Sequence, residues 1–174
     1  MNGQTLHRVW RLGADVDTDA LAPGHAMKHG IDIIAKHCLE AVRPEFAGEV
    51  QPGDVIVAGP NFGIGSSREQ AVAALLLLGI KAVIAPSFGG LFFRNAFNLG
   101  LLLLTTTAAD RIEHGERIDL ELSPPSLVTA TGQTMACEPI PPFLLEMVAA
   151  GGLFNQLRQQ LTTARGGRHV EPLA

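Results

Sequence analysis

Short aliphatic runs and longer apolar segments alternate along the first two thirds of the chain. Runs of about four to eight apolar residues bounded by Gly, Pro or Asp are typical of buried strands, whereas longer unbroken apolar segments are typical of helices. The alternation of the two kinds predicts an α/β core. In order, the pattern predicts strand 6–12, helix 31–40, strand 55–58, helix 69–78, strand 81–85, helix 87–98 capped by Ser87, and strand 101–104.

The last third of the chain has a different pattern. Three shorter strands are predicted at 117–122, 126–130 and 134–138, and a helix at 143–150. Residues 162–174 are polar and contain two adjacent glycines, which predicts a flexible tail. We therefore expect a single domain over 1–161 and a tail over 162–174. The Gly-, Asp- and Pro-rich stretch 13–30 is predicted to be a loop.

Composition excludes several classes of function. The net charge is −4 without a basic stripe, so nucleic acid is a poor candidate partner. The longest apolar stretch, 71–80, is too short for a membrane span, and the polar N-terminus does not resemble a signal peptide, so a cytoplasmic protein without a membrane partner is expected. The two cysteines, Cys38 and Cys137, form no metal-binding motif, so we expect no cofactor or metal bound by this chain alone. Only 17% of residues are charged, which weakly favours a surface covered by another chain.

The segment 59–71 carries the strongest chemical signal. It reads GPNFGIGSSREQA, which is a glycine-bearing loop followed by a predicted helix N-terminus. Glycines allow close backbone approach, a helix start attracts anions, and Arg68 adds a bidentate clamp for a carboxylate or phosphate. The segment therefore favours an anion site.

A purely structural interpretation explains the same residues. Ser66 with Glu69, and Ser67 with Gln70, each have capping-box spacing. Other motifs fail: no Lys-Ser/Thr follows the glycines as in a phosphate-binding P-loop, and Arg68 stands where both a dinucleotide fingerprint and a serine-hydrolase elbow require glycine. Capping and anion binding both remain open at this point.

Two further segments are ambiguous on their own. Asp15, Asp17 and Asp19 resemble the start of a calcium loop, but the later Gly and Glu of such a loop are missing, and an Asp-rich turn that caps a helix explains them equally well. The segment 80–96 reads IKAVIAPSFGGLFFRNA and is consistent with a buried strand and an amphipathic helix.

Taken together, the three segments resemble the small subunit of 3-isopropylmalate dehydratase and the swivelling domain of aconitase and homoaconitase. The shared pattern is Asp-Thr-Asp before an apolar residue and Pro, then Asn-Phe-Gly-x-Gly-Ser-Ser-Arg-Glu, then Ser-Phe before an aromatic-Arg-Asn. The resemblance is close over residues 9–105 and loose elsewhere. It implies an aconitase-type swivelling domain with β/β/α layers.

The resemblance also implies residue roles. Ser66 matches the serine base that removes a proton next to a substrate carboxylate, and Ser67 and Arg68 match residues that bind that carboxylate. Asp19 matches an aspartate that orients a histidine of the cluster-bearing part. That part would be a separate large subunit holding a 4Fe–4S cluster, whose open iron takes the substrate hydroxyl as a Lewis acid. The expected activity is a hydro-lyase of leucine biosynthesis that isomerises a malate-type hydroxy acid and works only as a heterodimer.

The sequence departs from the family pattern in three places. Gln70 stands where histidine is usual, and Gly89-Gly90 where Ala-Arg is usual. Residues 24–30 replace the usual basic-aromatic-Leu substrate loop, and His25 and Lys28 are its candidate substrate-binding residues. The substrate is therefore either 3-isopropylmalate or a homoaconitate- or methylmalate-type relative. The alternatives of another class are a stand-alone dicarboxylate-binding module without catalysis and a serine hydrolase.

Overall fold

Seven strands form one sheet in the order β4-β3-β2-β1-β5-β6-β7 in this computed structural model, which describes residues 5–166. The strands β1 to β4 are parallel, and β5 continues the sheet antiparallel to β1. The hairpin partners β6 and β7 are also antiparallel. The bounds are β1 His7–Arg11, β2 Val55–Val57, β3 Ala82–Ala85, β4 Leu102–Thr105, β5 Arg117–Leu122, β6 Pro125–Thr129 and β7 Thr134–Ala136.

The helices mostly connect the parallel strands, as the strand–helix alternation predicts. Helices α4 and α5 link β2 to β3 and β3 to β4, while three short helices lie between β1 and β2. The bounds are α1 Thr18–Leu21, α2 Ile31–Lys36, α3 Phe46–Glu49, α4 Glu69–Leu77, α5 Gly90–Leu99, α6 Pro142–Ala149 and α7 Leu153–Gly166, with 3₁₀ turns at Gly24–Ala26 and Thr107–Arg111.

Both faces of the parallel strands are buried, which explains their continuous apolar sequence. In β3, Val83 faces a cluster that contains Phe92 of α5, whereas its neighbour Ile84 faces a second cluster that contains Ile118 of β5. The antiparallel part of the sheet therefore covers one face of the parallel part, and the helices cover the other. This confirms the predicted single α/β domain with β/β/α layers.

The stretch 13–30 is more ordered than a loop. It contains α1 and a 3₁₀ turn, so the prediction of an irregular loop was wrong there. The predicted helix 31–40 ends early, at Lys36, because the chain turns at Leu39, whose φ is +62°. Leu39 is fully buried and its N–H donates to Ala20 O (2.7 Å), so tertiary packing holds a conformation that leucine rarely adopts.

Two boundaries also differ from the prediction. Helix α5 begins at Gly90 after Gly89, so Ser87 is not its cap. The boundary predicted at residue 161 falls inside α7, whose Leu153, Leu157 and Leu161 recur every four residues in the helical pattern. The remainder of the predicted tail, 167–174, lies outside the described residues. Within the described part of the chain, no helix is both long and apolar enough to cross a membrane.

Candidate functional site

Three loops meet where the parallel strands β1, β2 and β3 end. The Asp15 N–H donates to Pro60 O (2.9 Å) and joins the first two loops. The Phe62 N–H donates to Ser87 O (3.1 Å) and joins the second to the third. In open α/β sheets, ligands bind outside the carboxyl ends of the strands. The three motif segments therefore share the edge of the sheet where a ligand site is expected.

Two glycines of the loop 59–68 are required by their surroundings. Gly63 has φ +78° and Gly65 has φ +108°, in the region that side chains disfavour. A Cβ on Gly63 would lie 2.2 Å from the Phe92 ring, and a Cβ on Gly65 would lie 3.0 Å from Thr18 Oγ1. The loop backbone thus packs directly against α5 and α1, which fixes the position of the residues that follow.

Ser66 and Ser67 follow these glycines and are exposed. Helix α4 begins after Arg68, and no side chain caps its first turn, so the capping-box interpretation was wrong. Instead, the Ser66 N–H donates to Thr18 Oγ1 (3.0 Å), and Thr18 is buried. The backbone of Ser66 is therefore held in place, while its hydroxyl is free of any capping role.

Arg68 and Asp19 form an ion pair across the two loops. Nη1 of Arg68 donates to the Asp19 carboxylate and also to Ala22 O (2.9 Å). Arg68 is partly buried, whereas the Asp19 side chain is 67% exposed. The pair places one positive and one negative group beside Ser66, with the carboxylate facing outward.

The three aspartates of the first loop do not converge. Asp15 accepts from Asn61 Nδ2 (2.8 Å), Asp17 accepts from Ala20 N (2.8 Å), and Asp19 pairs with Arg68. A calcium loop directs its carboxylates at one point, so this arrangement does not support that interpretation. Asp17 caps α1, as the alternative of an Asp-rich capping turn predicted.

A groove of about 500 Å³ lies beside these loops. Its lining residues include Asp15, Asp17 and Asp19 together with His25 and Glu40. Lys28, the second candidate of the substrate loop, is exposed nearby in sequence. Glu40 is a site residue that the sequence motifs did not indicate; the available signal was its position three residues after His37 in the predicted helix 31–40.

Glu40 accepts hydrogen bonds from two imidazoles. Its Oε2 lies 2.6 Å from His37 Nδ1, and its Oε1 lies 2.6 Å from His25 Nε2. The hydrogen bond from His37, followed by that from His25, holds the pKa of Glu40 below its usual value. The His25 side chain is thereby tied to the turn that follows α2.

Gly89 and Gly90 differ in what surrounds them. A Cβ on Gly89 would lie 2.5 Å from Gly63 O, whereas a Cβ on Gly90 would meet nothing within 4 Å. Local packing therefore explains why position 89 is glycine and not the alanine of the family pattern. The departure at Gly90 removes a positive charge from a position with room for a side chain.

The cysteines do not fit an iron–sulfur cluster, which is held mainly by several converging thiolates. Cys38 is fully buried, and burial raises the pKa of its thiol to about 12. Burial likewise raises the pKa of Cys137 to about 11. The two cysteines belong to opposite faces of the sheet, so their thiols do not converge on one point.

Comparison with known proteins agrees with the geometry. The family model of the aconitase C-terminal domain matches residues 36–109. The 3-isopropylmalate dehydratase small subunit of Nautilia profundicola is 43% identical over 156 residues, which are 88% of this chain and 94% of that protein. The chain belongs to the family of 3-isopropylmalate dehydratase small subunits, within the aconitase superfamily.

Two further relatives extend this family assignment. The crystal structure of 3-isopropylmalate dehydratase (leuD) from Methanocaldococcus jannaschii is 41% identical and superposes with a TM-score of 0.85, covering 93% of this chain and 98% of that one. The methanogen homoaconitase small subunit of Methanothermobacter thermautotrophicus is 40% identical over 170 residues, 96% of this chain and 98% of that protein. The predicted aconitase-type fold is confirmed, and the names of these relatives as small subunits imply a larger partner.

Proposed function

We propose that this chain is the small subunit of a hydro-lyase that interconverts 3-isopropylmalate and 2-isopropylmalate, or a close relative, through an unsaturated intermediate. The observation that carries the proposal is the hydrogen bond from Ser66 N to Thr18 Oγ1 (3.0 Å), which fixes an exposed serine beside the Arg68–Asp19 pair. A positioned hydroxyl next to a guanidinium suits removal of a proton adjacent to a carboxylate.

The roles follow from position. Ser66, as an alkoxide, accepts the proton and becomes a neutral hydroxyl. Arg68 binds the neighbouring carboxylate, for which its guanidinium offers a planar pair of donors. The hydroxyl of Ser67 adds a second donor to that carboxylate. Asp19 is a positioning residue: its carboxylate pairs with Arg68 and is exposed, so a histidine of a partner chain could reach it.

The chain is not expected to catalyse this step alone. A serine hydroxyl is a poor base at neutral pH, and a helix N-terminus stabilises a nearby anion by at most about 2 kcal/mol, or about 1.5 pKa units. Because Ser66 and Ser67 are exposed, water competes for the same donors. A second chain that closes over this edge excludes that water and strengthens the remaining electrostatic interactions.

That second chain would be the large subunit, and it would also hold the 4Fe–4S cluster. Supporting this, the two cysteines here are protonated, buried or half-buried, and on opposite faces of the sheet. The resulting heterodimer would act in the cytoplasm on a small hydroxy-dicarboxylate or tricarboxylate, within leucine biosynthesis if the substrate is isopropylmalate.

The substrate side group is a separate part of the proposal. Gly24 and His25 of the loop 24–30 line the groove, and Lys28 lies exposed in the same loop. An isopropyl group favours aliphatic or aromatic lining. Val16 and Val42 supply aliphatic lining to the groove, whereas Met27, the large apolar side chain of residues 24–30, is partly buried and packs against the core. His25 and Lys28 would suit an added carboxylate, and relatives that are 40% identical to this chain include a homoaconitase small subunit as well as a 3-isopropylmalate dehydratase small subunit.

The test of the proposed chemistry is Ser66→Ala in the complex reconstituted with the large subunit. We expect turnover to be abolished, while association and the free energy of unfolding stay nearly unchanged, since an exposed side chain without a cap role contributes within about 0.5 kcal/mol. Ser123→Ala, at an exposed serine of the antiparallel part, is the matched control and should keep full activity. Normal turnover in the Ser66 variant would refute the role of this serine.

The alternative is a stand-alone dicarboxylate-binding module that uses Arg68 without catalysis. It predicts that the isolated chain binds malate-type acids as tightly as the complex does, and that no large subunit co-purifies with it. Our proposal predicts weak binding to the isolated chain and a gain on complex formation, so calorimetric titration of both samples distinguishes the two.

A further inference from the structure

One polar cluster lies at the rim of the groove and has no part in the proton transfer proposed above. It consists of His25, His37 and Glu40, which we call the rim triad. Their ligand atoms all lie within 4.8 Å of one another, and the two imidazole rings are 4.9 Å apart at a steep angle. We propose that the rim triad is a binding site for a divalent transition-metal ion, with zinc as the ion that fits best.

The donor set supports zinc. Two imidazole nitrogens and one carboxylate, with a position left open, form a known type of zinc coordination. Hard cations such as Mg²⁺ and Ca²⁺ instead prefer all-oxygen sites. The two nitrogens available are His25 Nε2 and His37 Nδ1, and both already face the Glu40 carboxylate.

The distances require only a small rearrangement. Each nitrogen lies 2.6 Å from a Glu40 oxygen. Ligand atoms of a tetrahedral zinc ion, bound at about 2.0–2.1 Å, lie about 3.3 Å from one another. The three side chains are 39–60% exposed, so they have room to rotate toward that spacing.

The backbone that carries the triad is anchored at three points. Ala26, next to His25, is fully buried, as are Cys38 and Leu39 between His37 and Glu40. The Leu39 N–H also donates to Ala20 O (2.7 Å). Ligands on a fixed backbone lose less freedom on binding a metal ion than ligands on a mobile loop. The triad therefore has rigid supports and adjustable side chains.

A metal ion here would join the 3₁₀ turn Gly24–Ala26 to the turn after α2 and leave an open coordination position at the groove. The open coordination position matters only if the proposed function is correct, because the same loop is proposed to contact the substrate side group. Metal binding itself does not rest on it, and the experiment below contains no activity measurement. Failure of either proposal is therefore recognised separately.

The test is zinc binding by the untagged full chain, measured by competition with a chromophoric chelator after treatment with EDTA. We expect one Zn²⁺ per chain at micromolar or tighter affinity. His37→Ala and Glu40→Gln should each weaken binding by more than the roughly 10–100-fold typical of losing an outer-shell partner of a metal site. His29→Ala, an exposed histidine of the same loop, is the matched control and should bind zinc like the unmodified chain.

Cobalt supplies an independent readout of geometry. Co²⁺ bound by the triad in a four-coordinate site should give intense visible absorption that Zn²⁺ abolishes. Weak absorption of the octahedral type, affinity weaker than micromolar, or equal losses in the His29 variant would each overturn the proposal. Thermal unfolding in EDTA checks that the variants are folded, and Glu40→Gln keeps the side-chain volume if His37→Ala does not fold.

Discussion

Thr18 and Ser66 are 48 residues apart in sequence, yet the Ser66 N–H donates directly to Thr18 Oγ1 at 3.0 Å. Thr18 is buried and lies in α1, whereas Ser66 is exposed and precedes α4. The hydrogen bond therefore holds the proposed base at a fixed position relative to the packed helix α1.

Replacing Thr18 by valine should lower kcat of the reconstituted enzyme by up to about 100-fold, the loss expected from a small misplacement of a reacting group. The free energy of unfolding should fall by only about 0.5–1.5 kcal/mol, the net contribution of one hydrogen bond. Thr18→Ser keeps the hydroxyl and should retain most of the turnover. If the serine variant were as inactive as the valine variant, packing rather than the hydrogen bond would be responsible.

The Arg68–Asp19 pair allows binding and positioning to be separated. Arg68→Lys keeps the charge but loses the planar pair of donors, so KM should rise and kcat/KM should fall by about 10–100-fold, corresponding to about 1.5–3 kcal/mol. Asp19→Asn leaves Arg68 in place and should mainly lower kcat. Steady-state kinetics of the two variants check this split. If Asp19→Asn raised KM as Arg68→Lys does and left kcat unchanged, Asp19 would not have a positioning role.

Gly89 and Gly90 form a natural matched pair for stability. Gly89→Ala places a Cβ 2.5 Å from Gly63 O and should destabilise the fold by about 1–3 kcal/mol, as overpacking does. Gly90→Ala adds a Cβ in open space at the first position of α5 and should be neutral or stabilising by about 0.5–1 kcal/mol. Urea unfolding of the isolated chain measures both. Equal stability of the two variants would show that the loop adjusts freely at Gly89.

Asp54 should make the fold sensitive to acid. Burial alone would raise its pKa, but hydrogen bonds from Arg8, from the Gln51 N–H and from the Trp10 indole outweigh burial and hold the pKa below the usual 3.8. Because the pKa of Asp54 is lower in the folded state than in the unfolded chain, its contribution to folding stability is fully present above pH 3.8. That contribution is lost as the pH falls through the folded-state pKa.

Asp54→Asn tests this directly. The variant should lose about 1–3 kcal/mol at neutral pH, since buried donors are left poorly satisfied. As the pH falls from 3.8 through the lower folded-state pKa of Asp54, the stability of the unmodified chain should approach that of the variant, because the carboxyl group becomes protonated in both states. Unfolding curves measured at pH 7 and at successively lower pH check the convergence. A constant difference at every pH would mean that Asp54 does not carry the acid sensitivity.

Competition kinetics should decide the substrate side group. If His25 and Lys28 contact that group, kcat/KM should favour a substrate with an added carboxylate over 3-isopropylmalate, since an unpaired charge costs more than the about 1–3 kcal/mol of a methylene misfit. Lys28→Met should reverse part of this preference. A preference of more than about tenfold for 3-isopropylmalate would contradict the role proposed for the loop and leave the leucine-pathway activity in place.

The local pattern determined the strand–helix order and the segments that carry the chemistry. Continuous apolar strands and the glycines at 63 and 65 are properties of neighbouring residues, so a reading of the sequence finds them. The spacing of Ser66, Arg68 and Asp19 within their motifs was visible for the same reason. It also made a capping box at Ser66 look plausible, because a cap is defined by spacing alone until the position of the helix start is known.

Tertiary packing decided what each of these residues does. The start of α4 after Arg68, the bond from Ser66 to Thr18 and the separate partners of the three aspartates all join segments that are distant in sequence. The same holds for the turn at Leu39, where burial stabilises a left-handed residue and brings His37 and Glu40 to His25. Such contacts depend on how the loops at one edge of the sheet pack against each other, and no local propensity encodes that packing.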